Sequence, residues 1–141
     1  MLMHTGRKAL FVCLVVSLLS GCSKPGPLVV EVQGKVTYNG KPVALGTVKF
    51  VPVSQSGELI RPAAGPIAAD GSYSMQSFPS RSGSRPGEYQ VAVVSYTGSF
   101  MDGTAKYVVP KRYADPQTSG LTITVPAEAK EPLTLDLNLV D

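Results

Sequence analysis

The sequence predicts an all-β protein, a single seven-stranded antiparallel β-sandwich. Apolar residues recur at every second position in seven short runs, the period of a strand with one buried face. Gly and Pro are abundant, 14 and 12 of 141 residues, and gather between the runs, Asn39-Gly40 and Asp70-Gly71 among them as pairs that favour tight hairpins. No run carries the apolar stripe of a helix, and nothing repeats at a fixed period. At 43% apolar and 16% charged residues, with no Trp, the chain is neither a disordered acidic tail nor a coiled coil. Its length suits one ordinary domain and excludes a large multidomain enzyme.

The first segment differs in kind from the rest. Arg7 and Lys8 precede an uncharged apolar run, Ala9 to Leu19, and Leu19-Ser20-Gly21-Cys22 follows. A basic start, a short apolar stretch and small residues before a cut site describe a secretory signal peptide over 1–21. The run is too short for a bilayer, which takes about 20 residues. Leu19 to Cys22 resembles the bacterial lipobox. That resemblance implies cleavage before Cys22, a diacylglyceryl thioether on its sulfur and an added acyl chain such as palmitate, hence a bacterial envelope lipoprotein on the outer or inner membrane, its domain facing the periplasm or the exterior. Two or three acyl chains hold a protein on a membrane durably.

Removal of that leader narrows the chemistry. Arg7 and Lys8 leave with it, so the 13 Lys and Arg fall to 11 against 10 Asp and Glu, and the formal charge drops from +3 to +1. No basic face remains for nucleic acid. His4, the one His, and Cys13 leave too. His general bases, Cys nucleophiles, His/Cys zinc sites and the Ser-His-Asp triad are thereby excluded. The expectation is no enzyme, no catalytic residues, no metal site and no cofactor.

Residues 22–30 read as the lipidated Cys and a Pro/Gly tether, and 31–141 as the sandwich. Val30, Val32, Gly34, Val36 and Tyr38 alternate with polar residues up to Asn39-Gly40, and Val48 and Phe50 mark a second strand stopped by Pro52. Residues 54–66 read as a loop. Ile67 and Ala69 lead into Asp70-Gly71, followed by Tyr73 and Met75; 77–87 reads as another loop. Tyr89, Val91 and Val93 belong to a central strand, Leu121, Ile123 and Val125 to the next, and Leu133, Leu135, Leu137 and Leu139 to the last.

Four motifs in order, Val32 to Val43 (ending Tyr38-Asn39-Gly40-Lys41-Pro42-Val43), Gly46-Thr47-Val48-Lys49-Phe50, Ala69-Asp70-Gly71-Ser72-Tyr73 and Pro86-Gly87-Glu88-Tyr89-Gln90-Val91, resemble the carboxypeptidase-regulatory-like domain, a transthyretin-like (prealbumin-like) sandwich. Val109 to Tyr113 and Thr118 to Thr122 resemble segments of small bacterial lipoproteins carrying that domain. The resemblance implies an accessory or adhesive module without zinc ligands. Hydroxyisourate hydrolases share the fold but use His residues and a different C-terminal motif. Lys35 and Asn138 have the order of a Lys-Asn isopeptide pair, yet alternation puts both on polar faces. Asp70, Glu88 and Asp102 are scattered, each with a turn or solvating role, and do not make an acid/base pair or a calcium loop.

Thr97 to Gly120 is long for a connection in a sandwich. Phe100, Met101, Tyr107, Lys111, Arg112 and Tyr113 give it an aromatic and basic character suited to an envelope protein or polysaccharide partner. The competing readings are an edge strand at Tyr107 to Val109 with aromatics capping the core, and a small-ligand or carbohydrate site in the same loop. The expected role is a membrane-anchored, non-enzymatic module that binds another envelope component or contributes to envelope structure.

Overall fold

The structure, a computed structural model, describes residues 28–53, 61–78, 81–129 and 132–141. Residues 1–21, expected to be a signal peptide, and Cys22 lie outside them. Thirteen strands occur among the described residues: β1 (Val32–Tyr38), β2 (Lys41–Pro42), β3 (Thr47–Pro52), β4 (Ala63–Pro66), β5 (Ser72–Ser74), β6 (Gln76–Phe78), β7 (Arg81–Ser82), β8 (Gly87–Val94), β9 (Tyr96–Thr97), β10 (Lys106–Tyr107), β11 (Leu121–Val125), β12 (Leu133–Thr134) and β13 (Leu137–Leu139). A 3-10 turn at Lys111–Ala114 is the only helical element among them. The protein is all-β, as its alternation predicts.

One sheet is built around β1, which pairs with β2, β5, β12 and β13; a second runs β11-β8-β3-β4-β6-β7; β9 and β10 form a separate hairpin. Both main sheets feed one core, in which Val32 and Val36 of the first meet Val48, Phe50, Tyr89, Val91 and Val93 of the second. Phe50 and Tyr89 pack at 5.7 Å between ring centres. In β1 the burial alternates as the sequence does, with Val32, Gly34 and Val36 inside and Gln33 and Lys35 outside. Asn39 and Gly40, at φ 47° and 79°, make the left-handed pair that a two-residue hairpin between β1 and β2 requires.

Several expectations are corrected. Among the described residues the strands number thirteen rather than seven, because short strands form in segments expected to be loop and because extended stretches are interrupted. Ser72 to Phe78 is such a stretch: β5 pairs with β1, β6 pairs with β4, and the fully buried Met75 between them donates its N–H to Val32 O at 2.8 Å. It thus passes from one sheet to the other. Ala63–Pro66, expected to be loop, pairs with β3, with Ala63 and Gly65 inside and Ala64 and Pro66 outside; small residues gave it no visible apolar alternation. The expected 77–87 loop likewise begins within β6 and contains β7. The antiparallel rule also fails. β12 and β13 run parallel to β1, the chain reaching them from β11 of the second sheet and not by a hairpin from β1, and Gln76 and Gly83 make an isolated parallel bridge.

That parallel ladder is broken and repaired in one step. Register is the same on both sides of the break, Val32 opposite Leu133 and Val36 opposite Leu137. Leu135 still donates its N–H to Gln33 O at 2.8 Å, but its carbonyl turns inward and accepts the Tyr73 hydroxyl at 2.6 Å. Asp136 Oδ1 takes the place of the missing acceptor, receiving the Lys35 N–H at 2.9 Å. Room for the turned carbonyl exists because residue 34 is Gly: a Cβ there would stand 1.9 Å from Leu135 O. No backbone accommodates that approach, so the Gly34→Ala variant is expected to lose about 2–3 kcal/mol of stability in urea unfolding.

Burial, reinforced by the nearby Asp136 charge, pushes the Tyr73 phenol far above its usual value near 10, and burial likewise raises Tyr89. A raised phenol is held neutral in the fold. Its contribution is fully present below the unfolded value near 10 and is lost as pH climbs toward the folded value. Stability is therefore expected to hold up to about pH 10 and to fall above it, with a shallower fall in Tyr73→Phe, measured by denaturant midpoints against pH.

Candidate functional site

The segment after β8 separates into two parts. Tyr96 of β9 faces Tyr107 of β10 across the hairpin, and Thr97 faces Lys106. The tip between them is folded by its own polar groups. Ser99 O accepts the N–H groups of Thr104 and Ala105 at 3.0 and 3.1 Å, and Asp102 Oδ1 accepts the Thr104 N–H at 3.0 Å and its hydroxyl at 2.7 Å. The Thr104 hydroxyl and N–H hold the Asp102 carboxyl below the usual carboxylate range. Asp70 does the same at its own turn with Ser72.

With the backbone so occupied, the apolar side chains point out. Phe100 packs on Tyr96 at 4.6 Å between ring centres and lies 6.0 Å from Tyr107; Tyr96 and Tyr107 lie 6.4 Å apart in an edge-on arrangement. Phe100 is 58% exposed and Met101, next to it, 100%. A shallow depression of about 430 Å³ beside Tyr96, walled by Leu45, Thr47 and Val94, extends the patch. An exposed ring cluster of this kind is a ready contact surface, since the rings already pack on one another and lose little freedom on binding.

Its position follows from register. Val30, two residues after the described chain begins at Leu28, is bridged to Ser84. β8 starts nearby at Gly87 and ends at Val94, opposite Thr47, and the hairpin follows at once. Eight residues of strand are about 26 Å long, so the aromatic tip and the incoming chain sit at opposite poles.

The second part is tied down. Tyr113 is buried and belongs to the core together with Val109, while the lysine and arginine before it are exposed. The Tyr113 hydroxyl donates to Val140 O at 2.9 Å and accepts the Val140 N–H at 3.1 Å. Arg112 Nη2 donates to that hydroxyl at 2.9 Å and to Val140 O at 2.7 Å, with the guanidinium 4.7 Å from the Tyr113 ring centre. Burial raises the Tyr113 phenol, but the hydrogen bonds from Arg112 and at Val140, with the Arg112 charge, bring it net below its usual value. Asp141 alongside accepts hydrogen bonds from Tyr38 and, at 3.0 Å, from Asn39, and both draw its carboxyl down.

Of the six residues singled out in this loop, the structure thus places Phe100, Met101 and Tyr107 on the hairpin, with the Phe100 and Tyr107 rings together. It gives Arg112 and Tyr113 to the closing end of the chain, and leaves Lys111 exposed at the start of the 3-10 turn. Tyr96, overlooked because it reads as the tail of β8, completes the cluster; its signal was a Tyr on each side of the Gly98 to Gly103 turn. Lys35 and Asn138 are both exposed, Asn138 Oδ1 accepting the Thr37 hydroxyl at 2.8 Å. Among the described residues, no three His, Cys, Asp or Glu side chains gather as a metal site would need. Compared with family models, curated proteins and solved structures, the chain matches none.

The division has a measurable consequence. Tyr113→Phe removes the three hydrogen bonds of that hydroxyl and is expected to cost about 1–2 kcal/mol, whereas Phe100→Ser is expected to change stability by less than about 0.5 kcal/mol, both read by thermal or urea unfolding.

Proposed function

We propose that this protein is a bacterial envelope lipoprotein, held on a membrane through Cys22, whose domain is a non-catalytic module that binds another envelope component. Residues 1–21 are its signal peptide, 22–30 its anchor and tether, and 31–141 a sandwich of the carboxypeptidase-regulatory-like, transthyretin-like kind. The observation that carries the reading is the ring cluster of Tyr96, Phe100 and Tyr107 at the pole away from the incoming chain. A domain tethered at one end and carrying its exposed aromatics at the other presents them outward from its membrane. Exposed aromatics beside a fully exposed Met suit a protein surface, where such residues supply most of the binding energy.

A second reading, a small polar ligand or carbohydrate, has its own support. A groove of about 610 Å³ crosses the outer face of β1 and β5, edged by Gln33, Ser72, Ser74, Gln76, Thr134 and Asp136. Its hydroxyls and amides suit a polar ligand, but no exposed ring lies along it for a sugar to stack on.

A photo-crosslinker placed at Met101 in the full chain, expressed in its own cells, tests the reading together with intact mass. The expected result is a chain beginning at Cys22 with diacylglyceryl mass, crosslinked to an envelope component, the crosslink lost in Phe100→Ser/Tyr107→Ser and kept in Lys35→Ala. An unlipidated chain, or a crosslink indifferent to the ring substitutions, would contradict it.

A further inference from the structure

We propose that β11 is a self-association edge through which two copies of this chain pair antiparallel, joining their second sheets. The observation comes from the hydrogen-bond phase of β8. Glu88 O accepts the Val53 N–H at 3.0 Å on the β3 side, whereas Val91 O accepts the Ser119 hydroxyl at 2.5 Å on the β11 side. Backbone groups alternate sides along a strand, so Tyr89 and Val91 serve β11, and Glu88 and Gln90 serve β3. Their opposites on β11 are Ile123 and Leu121. Thr122 and Thr124 therefore turn their N–H and C=O groups away from β8, and β11 has no further strand beside it among the described residues.

Sheet edges of this kind are ordinarily blunted by a charge, a Pro or a bulge. β11 has none of these within Leu121–Val125, and no charged residue occurs from Pro116 to Ala127. Leu121 and Ile123, on the core side of the strand, remain half-exposed while Val125 is buried, so apolar surface is left open along the same edge. That places backbone groups with no strand partner among the described residues and half-exposed apolar side chains together.

The occupant that fits is the same strand of a second copy. With a two-fold axis at Ile123, Thr122 lies opposite Thr124 of the second copy and the reverse. These residues exchange backbone hydrogen bonds, and the two Ile123 side chains meet in the closer, non-hydrogen-bonded pairing. Being uncharged, the strand opposes itself without repulsion, and a closed two-fold pair uses up both edges at once. The inference stands apart from the proposed function, since the aromatic hairpin takes no part in it.

The test is analytical ultracentrifugation of the purified full chain in density-matched detergent, with two charge variants. The wild-type chain is expected at twice the mass of one copy. Thr122→Lys/Thr124→Lys and Thr122→Glu/Thr124→Glu, which set like charges opposite one another, are each expected to weaken the dimer by about tenfold or more in Kd. An equimolar mixture of the two is expected to recover it, and that recovery also shows that both variants are folded. A monomeric wild-type chain would overturn the proposal, as would a dimer indifferent to both variants or a mixture that fails to re-form one.

Discussion

The carbonyl of Leu135, turned inward over Gly34 to meet the Tyr73 hydroxyl, is the contact on which the rest of the structure depends. It joins three segments far apart in the chain: β1, the stretch that crosses between the sheets, and the strand that closes the domain. A regular parallel ladder would have aimed that carbonyl at the Lys35 N–H. The turn leaves two polar groups to satisfy, and the fold satisfies both, one with a phenol and the other with the Asp136 carboxylate. Each substitute comes from a different element, so the repair also fixes how those elements sit.

With β1 held on both sides, the second sheet is positioned through the shared core and through the crossing at Met75. The closing end is secured again at the far pole, where Tyr113 and Arg112 hold Val140 and where Tyr38 and Asn39 hold Asp141. The hairpin of β9 and β10 stands outside this arrangement. Its tip is ordered by Ser99, Asp102 and Thr104, and its rings lean on one another more than on the core. A surface built on its own small framework can vary without disturbing the domain beneath, as suits a module whose scaffold and contact residues answer to different demands.

Much of this was legible in the residues. Asn39-Gly40 announced its hairpin because few other pairs adopt two left-handed residues in succession, and the alternation of β1 and β8 marked their buried faces. The direction of the last strand was not legible, because a period of two is the same whichever way a strand runs. Nor was its interruption, since Leu133 to Leu139 alternates without a flaw and only the tertiary position of Gly34 and Tyr73 turns one carbonyl aside. Ala63–Pro66 escaped notice because alanine and glycine leave little hydrophobic pattern. At the candidate site, composition showed that aromatic and basic side chains were concentrated between Thr97 and Gly120. It could not divide them, because whether Tyr113 is a contact residue or a core residue depends on Val140, 27 positions away.

Native-state hydrogen exchange measures the central claim most directly, that the closing strand is integral to the fold while the aromatic hairpin is an appendage. The account predicts that the amides of Val36, Met75 and Leu135, bonded to Gly71, Val32 and Gln33, exchange together and only through global unfolding, whereas those of Thr104 and Ala105 exchange sooner through local opening. Leu135 exchanging about tenfold or more faster than Val36, or the hairpin amides sharing the protection of the core, would contradict it.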